Sequence, residues 1–225
     1  MTIDIGNECL TVQLDGEGRC RTFADARTGR NFATGAPLAW IEQTDGRHPV
    51  SAAERAGDLV RLVFGRTGAT ATLRFEQRDR YLVAEVVAAD GALVRSLDFV
   101  DIPLALAGDG REPFAACALA LDLQTRVVEL PGPGCRLRAS CFARFGLVGA
   151  RAALVGCPSD GLRGVLQQVV STDLRLPYSP IGGPWALDQP NNRGSYLFNF
   201  DGVTADGAAG MNDGELLAGV AGSPH

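Results

Sequence analysis

The chain has 225 residues, 46% of them hydrophobic and 21% charged, with a formal net charge of -5. That apolar content excludes wholesale disorder and suits one large all-β domain or two small domains. All 21 basic residues are Arg, and they are scattered. The basic patch that a nucleic-acid partner needs is missing, so no such partner is expected, although a few local Arg would suffice to meet an acidic polysaccharide.

Six Cys are present, at 9, 20, 117, 135, 141 and 157, with no CxxC pair, and there are two His, His48 and His225. Zinc needs clustered thiolate or imidazole ligands, so no metal site is expected. Several Cys sit in apolar runs such as ALVGCP and FAACALAL, which fits buried thiols. The N-terminus, MTIDIGNECL, has neither the basic nor the long apolar region of a signal peptide. No apolar run reaches the ~20 residues of a membrane helix. As the sequence stands, the expectation is a soluble, cytoplasmic protein with no membrane partner.

Taken in order, residues 2–14 give two short alternating runs around Gly6-Asn7, with Leu10, Val12 and Leu14 on one face. Arg19 to Phe23 is a strand and Asp25 to Arg30 a turn. Pro37 to Gln43, with Trp40, is another strand, and the polar segment Thr44 to Gly57, with His48, reads as a loop. Asp58 to Gly65, Ala69 to Gln77 and Tyr81 to Ala89 alternate and are joined by short turns, the pattern of an antiparallel meander. Leu93 to Leu106 extends it, with Pro103 forcing an edge or a bend. Phe114 to Leu123 fits helix or strand by periodicity, and its place among strands favours strand. Further strands cover Thr125 to Leu130, Cys135 to Phe142 and Arg151 to Cys157, around the PGPG turn at 131–134. One helix follows, with Leu162, Val165, Leu166 and Val169 at helical spacing and Asp160 as its N-cap.

Motifs for chemistry are sparse. There is no GxSxG, no GxxxxGK[ST] and no GxGxxG after a strand, and no cofactor is expected. His48 is expected to be a solvated loop residue. Asp98 and Asp101 flank an apolar run and are expected to be solvated charges at a strand end.

The stretch Leu176 to Asp201 differs from all that precedes it. It holds Tyr178, Trp185, Tyr196, Phe198 and Phe200 together with Asp188, Gln189, Asn191, Asn192 and Arg193. Aromatic rings stack on the apolar faces of sugars, and Asp, Asn and Arg hydrogen-bond their hydroxyls. The candidate substrate-binding residues are therefore Tyr178, Trp185, Asp188, Asn191, Asn192 and Arg193. In the competing reading, Tyr178 and Trp185 plug the end of the β domain and the Asn pair makes turns.

On the strength of the long run of strands, the segment FARFGLVGARAALVGCP, the helix GLRGVLQQVV and the linker YSPIGGPWALDQPNNRGSYLF, residues 1–200 resemble the N-terminal β-sandwich module of multidomain bacterial glycoside hydrolases. These modules are galactose-mutarotase-like sandwiches that precede a catalytic (β/α)-barrel. The resemblance implies a mainly β, antiparallel two-sheet β-sandwich with one short helix. It implies that SYLFNF resembles the first barrel strand, which would put Asn199 and Asp201 at the barrel rim.

The expected organisation is a sandwich domain over 1–175, an aromatic and Pro-rich junction with the first strand of a truncated barrel over 176–201, and a flexible Gly/Ala-rich tail over 202–225. The expected role is a non-catalytic, carbohydrate-associated domain that supports a catalytic barrel, absent from this chain, and lends a sugar-contacting loop. Its partners would be an oligosaccharide or polysaccharide and that barrel. Alternatives are a free-standing carbohydrate-binding module, a sandwich-scaffold aldose epimerase or polysaccharide lyase, and an interaction domain exposing the aromatic stretch to a protein partner. An epimerase would want a His–carboxylate couple, for which the only His available are His48 and His225.

Overall fold

The structure is a computed structural model that describes residues 2–91, 94–107, 111–127 and 135–175. The N-terminal alternation becomes two antiparallel strands, β1 (Thr2–Gly6) and β2 (Leu10–Asp15). Leu10, Val12 and Leu14 are all buried. The Asn7 side-chain oxygen closes the turn by accepting the amides of Cys9 and Leu10, each at 2.9 Å, the local bonding that makes Asn a turn residue. β3 (Cys20–Asp25) returns along β2 and completes a three-stranded sheet.

A second sheet has five strands in the order β12-β13-β10-β4-β5. They are β4 (Trp40–Gln43), β5 (Gly46–Pro49), β10 (Ser96–Pro103), β12 (Thr125–Val127) and β13 (Arg136–Phe142). The third sheet has six, in the order β11-β14-β9-β8-β7-β6. These are β6 (Ala52–Ala56), β7 (Leu59–Val63), β8 (Thr70–Gln77), β9 (Tyr81–Asp90), β11 (Phe114–Ala120) and β14 (Arg151–Pro158). All strand pairs are antiparallel. The described residues are thus mainly β with one short helix, as expected, and their strands divide into three sheets. The segment 31–37 runs between the three-stranded and five-stranded sheets: Asn31 and Pro37 bridge to Ala24 and Arg19 on the three-stranded side, and Ala33 bridges to Leu104, just past the end of β10. Side chains of all three sheets share one apolar core.

The six-stranded sheet is covered on both faces. From β14, Ala152 and Leu154 enter the main core, while Ala153, Val155 and Cys157 face the helix α1 (Leu162–Thr172) with Tyr81, Val83, Val165 and Val169. A strand buried on both faces reads as a continuous apolar run, which is what ALVGCP is. Gly156 lets the three-stranded sheet approach, because a Cβ there would lie 2.8 Å from Leu10 and 2.9 Å from Phe114.

Three sequence expectations change. Residues 44–57 are not a loop but contain β5 and β6, which are polar because each is the edge strand of its sheet. β10 does not extend the meander: it crosses to the five-stranded sheet and runs between β13 and β4, with Pro103 as its last residue, beyond the reach of β4. Asp160 does not cap the helix. It sits in a 3-10 turn, Ser159–Gly161, and the N-cap residue is Gly161, with no side-chain cap bond.

Candidate functional site

Asp98 and Asp101 are not solvated strand-end charges. Both lie on β10, with 6% and 0% of their surface exposed. A β-bulge between Asp98 and Val100 shifts the register against β13. Strand side chains alternate faces, so residues three apart normally point oppositely. The bulge inserts one extra residue, Phe99 and Val100 both enter the core, and the two carboxylates end on the same outward face.

That face is built from regular alternation on the flanking strands. On β13, Leu137, Ala139 and Cys141 enter the core, which turns Arg136, Arg138, Ser140 and Phe142 outward. On β4, Ile41 enters the core and Trp40 faces Asp98 across the ladder. On β5, Arg47 pairs with Glu42. Arg47 lays its guanidinium over the Trp40 ring, 4.3 Å from the centroid, a geometry favoured by the ring's negative face.

Each carboxylate accepts three hydrogen bonds. Asp98 accepts from Arg47 Nη2 at 2.6 Å, Arg138 Nη2 at 2.8 Å and Ser140 Oγ at 2.5 Å. Asp101 accepts from Arg47 Nη2 at 3.0 Å, from Arg136 Nη2 at 2.6 Å and from Arg136 Nε. The bond to Asp101 raises the pKa of the Arg136 guanidinium further above its ordinary value. A general acid or base must exchange a proton with a substrate within hydrogen-bond reach. Two carboxylates this deeply buried, each held by three protein donors, are not placed for that. They hold arginines in place instead.

Those arginines have capacity to spare. The side chains of Arg47, Arg136 and Arg138 are 38%, 46% and 43% exposed. A guanidinium offers five N–H donors, and Arg47 and Arg138 each meet the carboxylates through Nη2 alone. Trp40 Nε1 and Arg138 Nε, both buried, have no partner among the described residues. The exposed guanidinium N–H groups, rather than those two buried atoms, leave donors over on this face, which suits an acceptor-rich ligand such as a sugar or an oxyanion.

A second ionic cluster serves the fold. Asp173, just past α1, accepts from Arg78 Nε and Nη2 at 2.9 Å each, from the Tyr81 hydroxyl at 2.7 Å and from Arg151 Nη2 at 3.0 Å. Arg78 above all, then Tyr81 and Arg151, hold the Asp173 carboxyl far below the usual carboxylate range against the opposing effect of burial. Burial, then the bond to Asp173, pushes the Tyr81 hydroxyl up to about 12. This cluster pins the helix to the six-stranded sheet.

His48 lies on β5 between Arg47 and Pro49, and its Nε2 is 3.0 Å from Asp45 Oδ1, on a carboxylate side chain 71% exposed. Alternation turns it away from the Arg47 face, so it makes no couple with Asp98 or Asp101. Cys20, Cys141 and Cys157 are buried thiols. The sequence-predicted site residues Tyr178, Trp185, Asp188, Asn191, Asn192, Arg193, Asn199 and Asp201 lie outside the described residues. Among the described residues, no group of three or more His, Cys, Asp or Glu is placed to hold a metal ion. No described helix is long and apolar enough to cross a membrane.

No protein-family model matches the chain, and no curated protein does so. Among solved structures, the chain is similar to a GH31 family sulfoquinovosidase from E. rectale in complex with an aza-sugar inhibitor, with a TM-score of 0.37 and 9% identity. The likeness covers 79% of this chain and 35% of that one, so this chain spans about a third of that protein's length. A likeness of that size carries no inference about activity.

Proposed function

We propose that this chain is a non-catalytic, carbohydrate-associated β domain that holds a glycan on the outward face of its five-stranded sheet. The observation that carries this reading is the Trp40–Arg47 stack, set beside Arg136 and Arg138, whose carboxylate partners are buried and already accept three hydrogen bonds each. An aromatic face with convergent hydrogen-bond donors is what a sugar ring asks for. Carboxylates buried beneath the arginines they hold argue for binding rather than bond cleavage. Within a longer protein of the glycoside hydrolase kind, such a domain would support a catalytic barrel. The 178–193 segment would then supply a second sugar contact, with Asn199 and Asp201 near the barrel rim.

The test is binding of the purified 225-residue chain to a panel of neutral and acidic glycans. The expected result is retention of at least one glycan, lost in Trp40→Ala while the thermal melt is preserved. Turnover of any sugar by the purified chain would overturn the non-catalytic reading.

A further inference from the structure

The outward row on β13 does not stop at the carboxylates. Arg136, Arg138, Ser140 and Phe142 follow one another at every second residue, a line of ~20 Å at the usual strand rise. After Phe142 the chain tightens into a 3-10 turn, Ala143–Phe145. The turn folds Arg144 back over the Phe142 ring at 5.8 Å and the Phe145 ring at 4.6 Å. The amide of Ala143 donates to the carbonyl of Arg95 at 2.9 Å, which brings exposed Arg95 to the same place. Val94, Arg95, Phe142, Ala143 and Arg144 line an open cleft of about 470 Å³, with two guanidiniums and no carboxylate in the lining. Neither Arg95 nor Arg144 has an ion pair among the described residues.

We propose that this row and its terminal cleft bind an acidic polysaccharide, with a uronate or sulfate group seated between Arg95 and Arg144. The inference rests on the carbohydrate reading above and specifies its ligand. The protein as a whole is acidic, with a net charge of -5, yet this strip sets five guanidiniums against the carboxylates of Asp98, Asp101 and Glu42. A local positive strip on a negative protein focuses anions onto itself. Guanidinium forks match the two coplanar oxygens of a carboxylate and two of the three oxygens of a sulfate. The spacing also selects the polymer. Nucleic acid duplexes carry a charge every ~1.7 Å and need dense neutralisation. Here the cations are separated by Ser140 and Phe142 and partly neutralised by Asp98 and Asp101. A polymer with isolated charges and apolar ring faces between them fits that pattern.

The experiment measures binding of the full chain to polygalacturonate, chondroitin sulfate, neutral xylan and single-stranded oligo-dT. Each is tested at low and high salt, with the double variant Arg95→Gln/Arg144→Gln alongside. Both positions are exposed, so the melting temperature is expected to fall only slightly, through the lost stacking of Arg144 on Phe142 and Phe145. The expected result is binding of at least one acidic glycan, weakened about tenfold or more by salt and about tenfold by the double variant, the loss of two charge-assisted contacts. Salt-insensitive binding of xylan as tight as that of the acidic glycans, unaltered in the variant, overturns the inference and leaves the carbohydrate reading standing. Tighter binding of oligo-dT than of either acidic glycan overturns it in favour of a nucleic-acid ligand. Failure to bind any glycan overturns both.

Discussion

Asp98 and Asp101 sit three residues apart on one strand and accept hydrogen bonds from the same atom, Nη2 of Arg47, at 2.6 and 3.0 Å. The contact crosses from β10 over β4 to the edge strand β5. It fastens the edge of the five-stranded sheet to its centre through charge as well as ladder bonds.

The two sides of this network differ in what their loss would expose. Arg136→Ala strips Asp101 of two of its three donors and leaves a fully buried carboxylate. It is expected to lower unfolding stability by about 1–3 kcal/mol, the cost of leaving a buried acceptor short of partners, below the range for a fully buried pair because the Arg136 side chain is itself 46% exposed. The double replacement Asp101→Leu/Arg136→Met is expected to recover most of that, because an apolar substitute needs no partner. Urea denaturation of the three proteins measures it. A double variant as unstable as the single one would show that the charge itself is not the cause.

Asp173 makes stability depend on pH in a defined direction. Its folded carboxyl titrates well below the unfolded value of ~3.9. The contribution is therefore fully present above pH ~4 and is lost as pH falls through the folded value. The melting temperature is expected to hold between pH 7 and 5 and to decline below pH ~4, with part of the decline removed in Asp173→Asn. Thermal melts across that range, run on both proteins, check it.

Gly156 lies where β14 meets β2, β3 and β11. A Cβ there would stand 2.8 Å from Leu10, 2.9 Å from Phe114 and 3.2 Å from Phe23, all side chains packed in the core. Gly156→Ala is expected to cost about 1–3 kcal/mol, the usual range for overpacking. Chemical denaturation measures the loss. A neutral substitution would mean that the three-stranded sheet shifts without cost.

Burial pushes the Cys20 and Cys141 thiols up to about 12 and Cys157 up to about 11. The thiolate is the reactive form. Alkylation of the native protein at pH 8, read by peptide mass spectrometry, is expected to leave these three unmodified until denaturant is added.

Much of the fold was legible because many strands bury one face and therefore alternate. β2, β7 and β8 follow the period-two pattern, and the short turns around β7, β8 and β9 announce a meander, although β9 is buried on both faces. The site was not legible. Period-two counting places Asp98 and Asp101 on opposite faces, and only the bulge at Phe99 reverses that. The sequence does carry a trace: two adjacent apolar residues between two Asp, opposite a strand reading Arg-x-Arg-x-Ser. Asp160 failed as a cap because a 3-10 turn moves the N-cap one residue on, to Gly161, which composition does not register. The 176–201 stretch, most prominent in the sequence, lies outside the described residues.

The strands hidden in the polar segment 44–57 also guard the assembly. β5 and β6 end their sheets, and an open sheet end is a template on which another chain can pair; on β6 the Ala53 amide is already taken by the carbonyl of Gly16, at 2.9 Å. β5 reads Gly-Arg-His-Pro and β6 reads Ala-Ala-Glu-Arg-Ala, both short. Proline withholds a donor, and charged side chains repel an incoming strand. The polarity that disguised these residues as a loop thus protects the protein from polymerising edge to edge, and replacing Arg47, Pro49, Glu54 or Arg55 with β-branched apolar residues would turn a sheet margin into a seed for aggregates.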